Sequence, residues 1–171
     1  MSPPITRSAA ALRRPSPRRG AGAGARAPQG LGPSRGNIAR PFALVVGVVY
    51  LAAGLIGFGA TGFSGLVESH GPSLLGLHIN IFHNIFHIVV GLAFIVVSQV
   101  RDTAITQGVL IGGGVIYLAA ALLGFLDKLP IIAVNGSLAL DNFFHLFSGA
   151  AAVLFGVLAA QQQSRAAPPS L

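Results

Sequence analysis

Histidines and asparagines inside an apolar run bring ligand and hydrogen-bonding chemistry into a greasy environment, where polar groups are expensive to keep. The stretch "HINIFHNIFHIVVG", His78 to Gly91, does this. Asn80, His83, Asn84 and His87 fall at spacings of 0, 3, 4 and 7 residues, which is one face of a helix. Further along, Asp141, His145, Ser148, Gly149, Ala152 and Gly156 form a comparable face, with Asn142 beside the acid. His83 and His87 stand one turn apart, and Asp141 and His145 repeat that spacing. Nitrogen and oxygen ligands from these residues would suit Zn²⁺ or Cu²⁺. The acid and the repetition strengthen an H-x-x-x-H signal that is weak alone. No H-E-x-x-H occurs, so a zinc protease would lack its base. Haem held by His87 and His145 is a lesser variant.

Other chemistry stays open. Asn and His side chains can hydrogen-bond between helices, each bond being worth about 1 kcal/mol or less. Structural bonding of this kind is the leading reading. Intramembrane histidines can also relay protons or handle a small solute. Only the outer half of the stripe is polar, however, and four helices are few for alternating access, so transport would need a homo-oligomer. No paired carboxylates, glycine-rich phosphate loop or serine nucleophile with a base is visible. An enzyme is therefore the least favoured class, and no cofactor is assigned. The absence of cysteine excludes disulfides and thiolate sites.

The elements that must carry these residues are membrane helices. Only 9% of the 171 residues are charged, against about a quarter in soluble domains. Apolar runs lie near 42–60, 79–99, 106–126 and 142–160, each close to the roughly 20 residues that span a hydrocarbon core. Spanning segments satisfy their own backbone, so helices are expected. Residues 1–40 are rich in Arg, Pro and Gly and read as a disordered tail, with contact to anionic headgroups as a mild functional reading. Residues 162–171 read as a short second tail. Eight of the arginines precede the first run, so the net charge of +7 describes a tail rather than a nucleic-acid-binding face. The expected partner is the lipid bilayer. Arg101 and Arg165 join those arginines on one side, while Glu68, Asp127, Asp141 and a single basic residue, Lys128, fall on the other. By the positive-inside rule the protein is a multi-pass protein of the cell membrane with both termini cytoplasmic.

The two halves of the apolar region resemble one another. "GVVYLAAGLIGF" (Gly47–Phe58) aligns without gaps on "GVIYLAAALLGF" (Gly114–Phe125), 67 residues later. "NIFHIVVG" (Asn84–Gly91) aligns on "NFFHLFSG" (Asn142–Gly149) at an offset of 58. The expected fold is thus an all-α bundle of four transmembrane helices, built as two parallel-repeat hairpins. Such symmetry places His87 level with His145 and Tyr50 level with Tyr117. At 1.5 Å per residue, His87 lies roughly 12 Å below the outer boundary and Tyr50 roughly 12 Å above the inner one. In a core of about 30 Å these depths are similar, so a hydrogen bond from tyrosine to imidazole is expected in each half. Gly108 and the run Gly112–Gly114 suggest close packing on the third helix.

The motifs "N-I-F-H-N-I-F-H-I-V-V-G" (Asn80–Gly91) and "D-N-F-F-H-L-F-S-G" (Asp141–Gly149) together resemble the paired segments of the domain-of-unknown-function 4383 family. The resemblance covers about residues 40–160 and implies a four-helix integral membrane protein. Ile88 stands where leucine is usual, and Ile81–Phe82 replace a frequent proline-containing pair. Neither departure touches the polar positions, and the resemblance implies nothing about mechanism.

Overall fold

The apolar runs fold as helices because no other open structure can pair every backbone group inside a hydrocarbon layer. The structure, a computed structural model, describes residues 36–166. Helix α1 spans Ala39–Thr61, α2 Ile81–Gln99, α3 Thr103–Phe125 and α4 Leu140–Ala166. Between α1 and α2 lies a small hairpin of β1 (Ser73–Leu74) and β2 (Leu77–His78), paired antiparallel. A single 3-10 turn, Pro130–Ile132, sits between α3 and α4. All four helices are long and apolar enough to cross a membrane. Their large apolar side chains point outward: Val45, Val49, Ile56, Val96, Ile116 and Leu122 are all exposed. Most of their buried positions are instead small or polar, among them Ala43, His83, Thr106, Asn142 and His145, with Phe94, Leu110 and Tyr117 as large exceptions. A water-soluble fold has the opposite distribution, and the chain is a multi-pass membrane protein.

Helix α1 packs along α2, and α3 along α4. Each pair crosses at glycines. A Cβ on Gly47 would stand 2.8 Å from the carbonyl oxygen of Gly91, and one on Gly114 would stand 2.7 Å from that of Gly149. Only glycine permits backbones to approach so closely. Contact between the two hairpins is much thinner, and the backbones of α2 and α4 do not meet. Gly108 and Gly112, expected to pack, face open space. The close approaches on that helix are those of Gly113, against the Phe94 ring, and Gly114, both in the expected run, and of Gly124, against the Asn142 amide.

Polar residues tie the two ends of the bundle. At the end that holds the first and last helical turns, Arg40 Nε donates to Ser98 O at 2.7 Å. Thr103 Oγ1 and Gln107 Nε2 both donate to Gln163 Oε1, at 3.3 and 2.9 Å. These bonds explain why α4 continues to Ala166 rather than stopping near 160. The apolar run ends there, but the polar turn that follows is held by α3. The expected tail at 162–171 is therefore helical as far as Ala166, and residues 39 and 40 of the expected N-terminal tail belong to α1. The disorder expected of residues 1–35 lies outside the described residues.

At the opposite end, Asn80 does not lie within α2 but caps it. Its Oδ1 accepts from the His83 amide at 2.8 Å. Its Nδ2 donates to Glu68 O at 3.1 Å and to Ile131 O at 2.9 Å, joining both long connections to the helix start. Asn135 Nδ2 also bonds Ser69 O across those connections.

A three-histidine cluster between the helices

The cluster begins with helical spacing. His83 and His87 project one turn apart from α2, with ring centroids 4.4 Å apart. From α4, His145 reaches across the bundle to within 6.0 Å of the His83 ring. Each of the three offers a ring nitrogen such that all lie within 4.8 Å of one another. His83 and His145 are buried, at 2% and 5% exposure. Neither His83 nitrogen has a hydrogen-bond partner, and His145 Nδ1 has none either. These buried polar atoms are unpaired where pairing is the strong rule.

Two tyrosines complete the arrangement. The Tyr50 ring meets His87 edge-on at 5.1 Å, and Tyr117 meets His145 at 5.5 Å. The tyrosines also meet each other, at 5.0 Å. The expected Tyr–His proximity therefore exists in both halves, but as edge-to-face ring contact rather than hydrogen bonding. Tyr117 Oη has no partner.

The asparagines behave differently from the histidines. Asn84 Nδ2 donates to Thr61 Oγ1 at 3.3 Å. Asn142 Nδ2 donates to Gly136 O and Ser137 O, at 3.1 and 3.2 Å. The amide oxygen of Asn84 fills the space where a Cβ of Gly57 would stand, and that of Asn142 fills the same space at Gly124. Among the described residues, then, the Nδ2 groups of Asn80, Asn84 and Asn142 bond neighbouring segments, while Asn84 Oδ1 and Asn142 Oδ1, like both His83 nitrogens and His145 Nδ1, have no partner. Thr61 is a partner that the sequence did not single out, since it looks like the plain end of an apolar run.

The seating of Asn142 on Gly124 has a measurable consequence. Gly124→Ala drives a methyl into the amide and is expected to cost about 1–3 kcal/mol, as overpacking does. Asn142→Ala should cost a similar amount through its lost bonds. Combined, the two changes should cost at least about 0.5 kcal/mol less than their sum, because the new methyl enters the vacated space. Thermal unfolding of the four proteins in detergent measures this, and additive costs would contradict the seating.

Cavities flank the cluster on two sides. One of about 180 Å³ lies between α2 and α3 and is lined by Phe86, Ile116, Tyr117 and Ala120. The other, of about 300 Å³, lies between α1 and α4 and is lined by Val49, Tyr50, Ala53, Asp141 and Phe144. His83, His87 and His145 line both. Asp141 is buried and Oδ2 has no partner, yet the acid stands outside the close cluster of nitrogens. Of the expected metal-ligand set, the structure brings together the three histidines and leaves Asp141 as a neighbour across the larger cavity.

A family model described as Domain of unknown function (DUF4383) matches residues 40–158. No curated protein and no solved structure matches the chain.

Proposed function

We propose that this chain, which belongs to the DUF4383 family, holds a transition-metal ion at His83, His87 and His145. The observation that carries this reading is the convergence of three imidazoles whose nitrogens lie within 4.8 Å of one another and are largely without partners. Three histidines with an open fourth position are a familiar donor set for Zn²⁺, and imidazole suits Cu²⁺ equally. Metal–nitrogen bonds of about 2.0–2.1 Å require the rings to draw inward, which rotation about their side-chain torsions allows. Binding would supply the missing partner for buried nitrogen and so remove a desolvation cost. Structural bonding falls to the asparagine Nδ2 groups, which donate to neighbouring segments. Haem between His87 and His145 fits less well, because Tyr50 and Tyr117 pack against those rings and each other.

The test is direct. Full-length protein purified in detergent, loaded with Zn²⁺ or Cu²⁺ and dialysed, should retain about one ion per chain by mass spectrometry. Protein that retains no more than a histidine-free control would overturn the reading.

The fold further supports two hairpins related by a pseudo-twofold axis along the membrane normal, since Tyr50–His87 and Tyr117–His145 meet in the same way. It also supports a cytoplasmic placement of both termini in the cell membrane. Arg40, Arg101 and Arg165 gather at one end, beside Asp102, and Lys128 is the one basic residue at the other among the described residues, beside Glu68 and Asp127. The histidine cluster would then lie toward the outer face. Because the chain has no cysteine, single substitutions report topology cleanly. In intact cells a membrane-impermeant maleimide should label Ser69→Cys and spare Gln161→Cys, and the reverse pattern would invert the orientation.

A further inference from the structure

The cavity between α1 and α4 has a polar end and an apolar mouth. Val45 and Val49 on α1 and Phe144 on α4 form its outer wall, and all three are more than half exposed on the lipid-facing surface. At the inner end stand Asp141, only 4% exposed, and His83. Asp141 Oδ2 has no hydrogen-bond partner. Ser148 lines the same cavity but its hydroxyl already donates to Phe144 O at 2.6 Å. A buried carboxyl oxygen without a donor is costly, so the missing donor is expected from a guest.

The smaller cavity between α2 and α3 acts as an internal comparison. At the sequence offsets of the two halves, Val49, Tyr50 and Ala53 correspond to Ile116, Tyr117 and Ala120, and Phe144 and His145 to Phe86 and His87. The position that matches Asp141 is His83. The two cavities thus have like walls, and the acid distinguishes the larger one.

We infer that the α1/α4 cavity takes a hydroxyl-headed lipid from within the bilayer, its hydroxyl donating to Asp141 Oδ2 and its chain lying against Val45, Val49 and Phe144. The volume of about 300 Å³ suits a head group and the first part of a chain rather than a whole lipid. Away from Asp141 and the histidines the apolar walls offer water few partners, so the outer part of the space suits a chain rather than water. A hydroxyl both donates and accepts, so it can serve the acid and an imidazole N–H together. The preference for an uncharged head over an ammonium rests on the metal reading, since a bound cation repels a second one. The cavity and the unpaired acid do not depend on it.

The experiment uses full-length protein in nanodiscs and three photoreactive probes with the same diazirine-bearing C16 chain, ending in a hydroxyl, a carboxylate or an ammonium. Cross-links are mapped by peptide mass spectrometry, with metal content measured on the same samples. The hydroxyl probe should label residues within 43–53 and 141–148 saturably, with excess hexadecanol competing. Asp141→Leu should lower that labelling at least about tenfold, the loss expected for a hydrogen bond to a carboxylate. Val49→Trp, a change on the lipid-facing wall that blocks the mouth without touching the polar end, should lower it equally. Labelling that is uncompeted, or unchanged in Val49→Trp, overturns the site. Dominance of the carboxylate or ammonium probe overturns the assigned head group. Saturable labelling of protein that holds no metal would sustain the lipid site while removing the metal reading. Metal retention without saturable labelling would do the converse.

Discussion

Replacing His83 with leucine is expected to yield a metal-free protein more stable than its parent, by about 1–3 kcal/mol, that no longer retains Zn²⁺ or Cu²⁺. The sign follows from the unpaired ring. His83 buries two nitrogens with no partner, and each such group carries a desolvation penalty that an apolar side chain of similar size avoids. Leucine keeps most of the packing and removes the penalty. The order of stability should reverse when metal is added. An ion at one hundred times its dissociation constant stabilises the parent by about 2.7 kcal/mol, and a variant lacking a ligand gains little of this. Urea or thermal unfolding in detergent, with and without Zn²⁺, measures both arms. Destabilisation of the metal-free protein by His83→Leu would show instead that the imidazole holds the bundle together.

Asn80→Ala is expected to have the opposite profile. It removes the cap of α2, costing about 0.5–2 kcal/mol, and two further bonds from a side chain only 1% exposed. Together these should cost about 2–4 kcal/mol, because the carbonyls of Glu68 and Ile131 lose their donor in a buried setting. The cap holds the main-chain amide of His83 and leaves its imidazole untouched, so the folded fraction should still bind an ion at the proposed site. Unfolding curves beside metal content separate the two residues, which stand only three positions apart. A stability loss below about 0.5 kcal/mol would contradict the structural assignment of Asn80.

Much of this could be read from residue types and spacing. Twenty-residue apolar runs leave helices as the available structure, and a stripe at 0, 3, 4 and 7 must share a face. What the stripe does could not be read, because Asn80, His83, Asn84 and His87 are equivalent as a pattern. The structure divides them by neighbours that are distant in sequence: Ile131 for Asn80, Thr61 for Asn84, and His145 for His83. The meeting of His83 with His145 depends on which helices stand diagonally, which no local pattern encodes. The β1–β2 hairpin was also illegible. Its turn uses Leu75 and Gly76 at positive φ, where leucine is not a turn signal. The extent of α4 was hidden for a different reason. Hydropathy marks where lipid contact ends, whereas the helix is prolonged by hydrogen bonds to Gln163 from a neighbour.

The glycine crossings have one more consequence. They weld α1 to α2 and α3 to α4; the resulting plates are joined more thinly, by contacts such as Phe42 stacked on Phe155, Phe94 against Gly113 and Thr106 Oγ1 donating to Val97 O. The imidazoles stand on that seam, two contributed by one plate and one by the other. An ion held there as proposed would act as a rivet: it would add little to the folding of either plate and more to their union. A chain divided at the Arg101–Asp102 turn should then reassemble more completely when metal is supplied than without it.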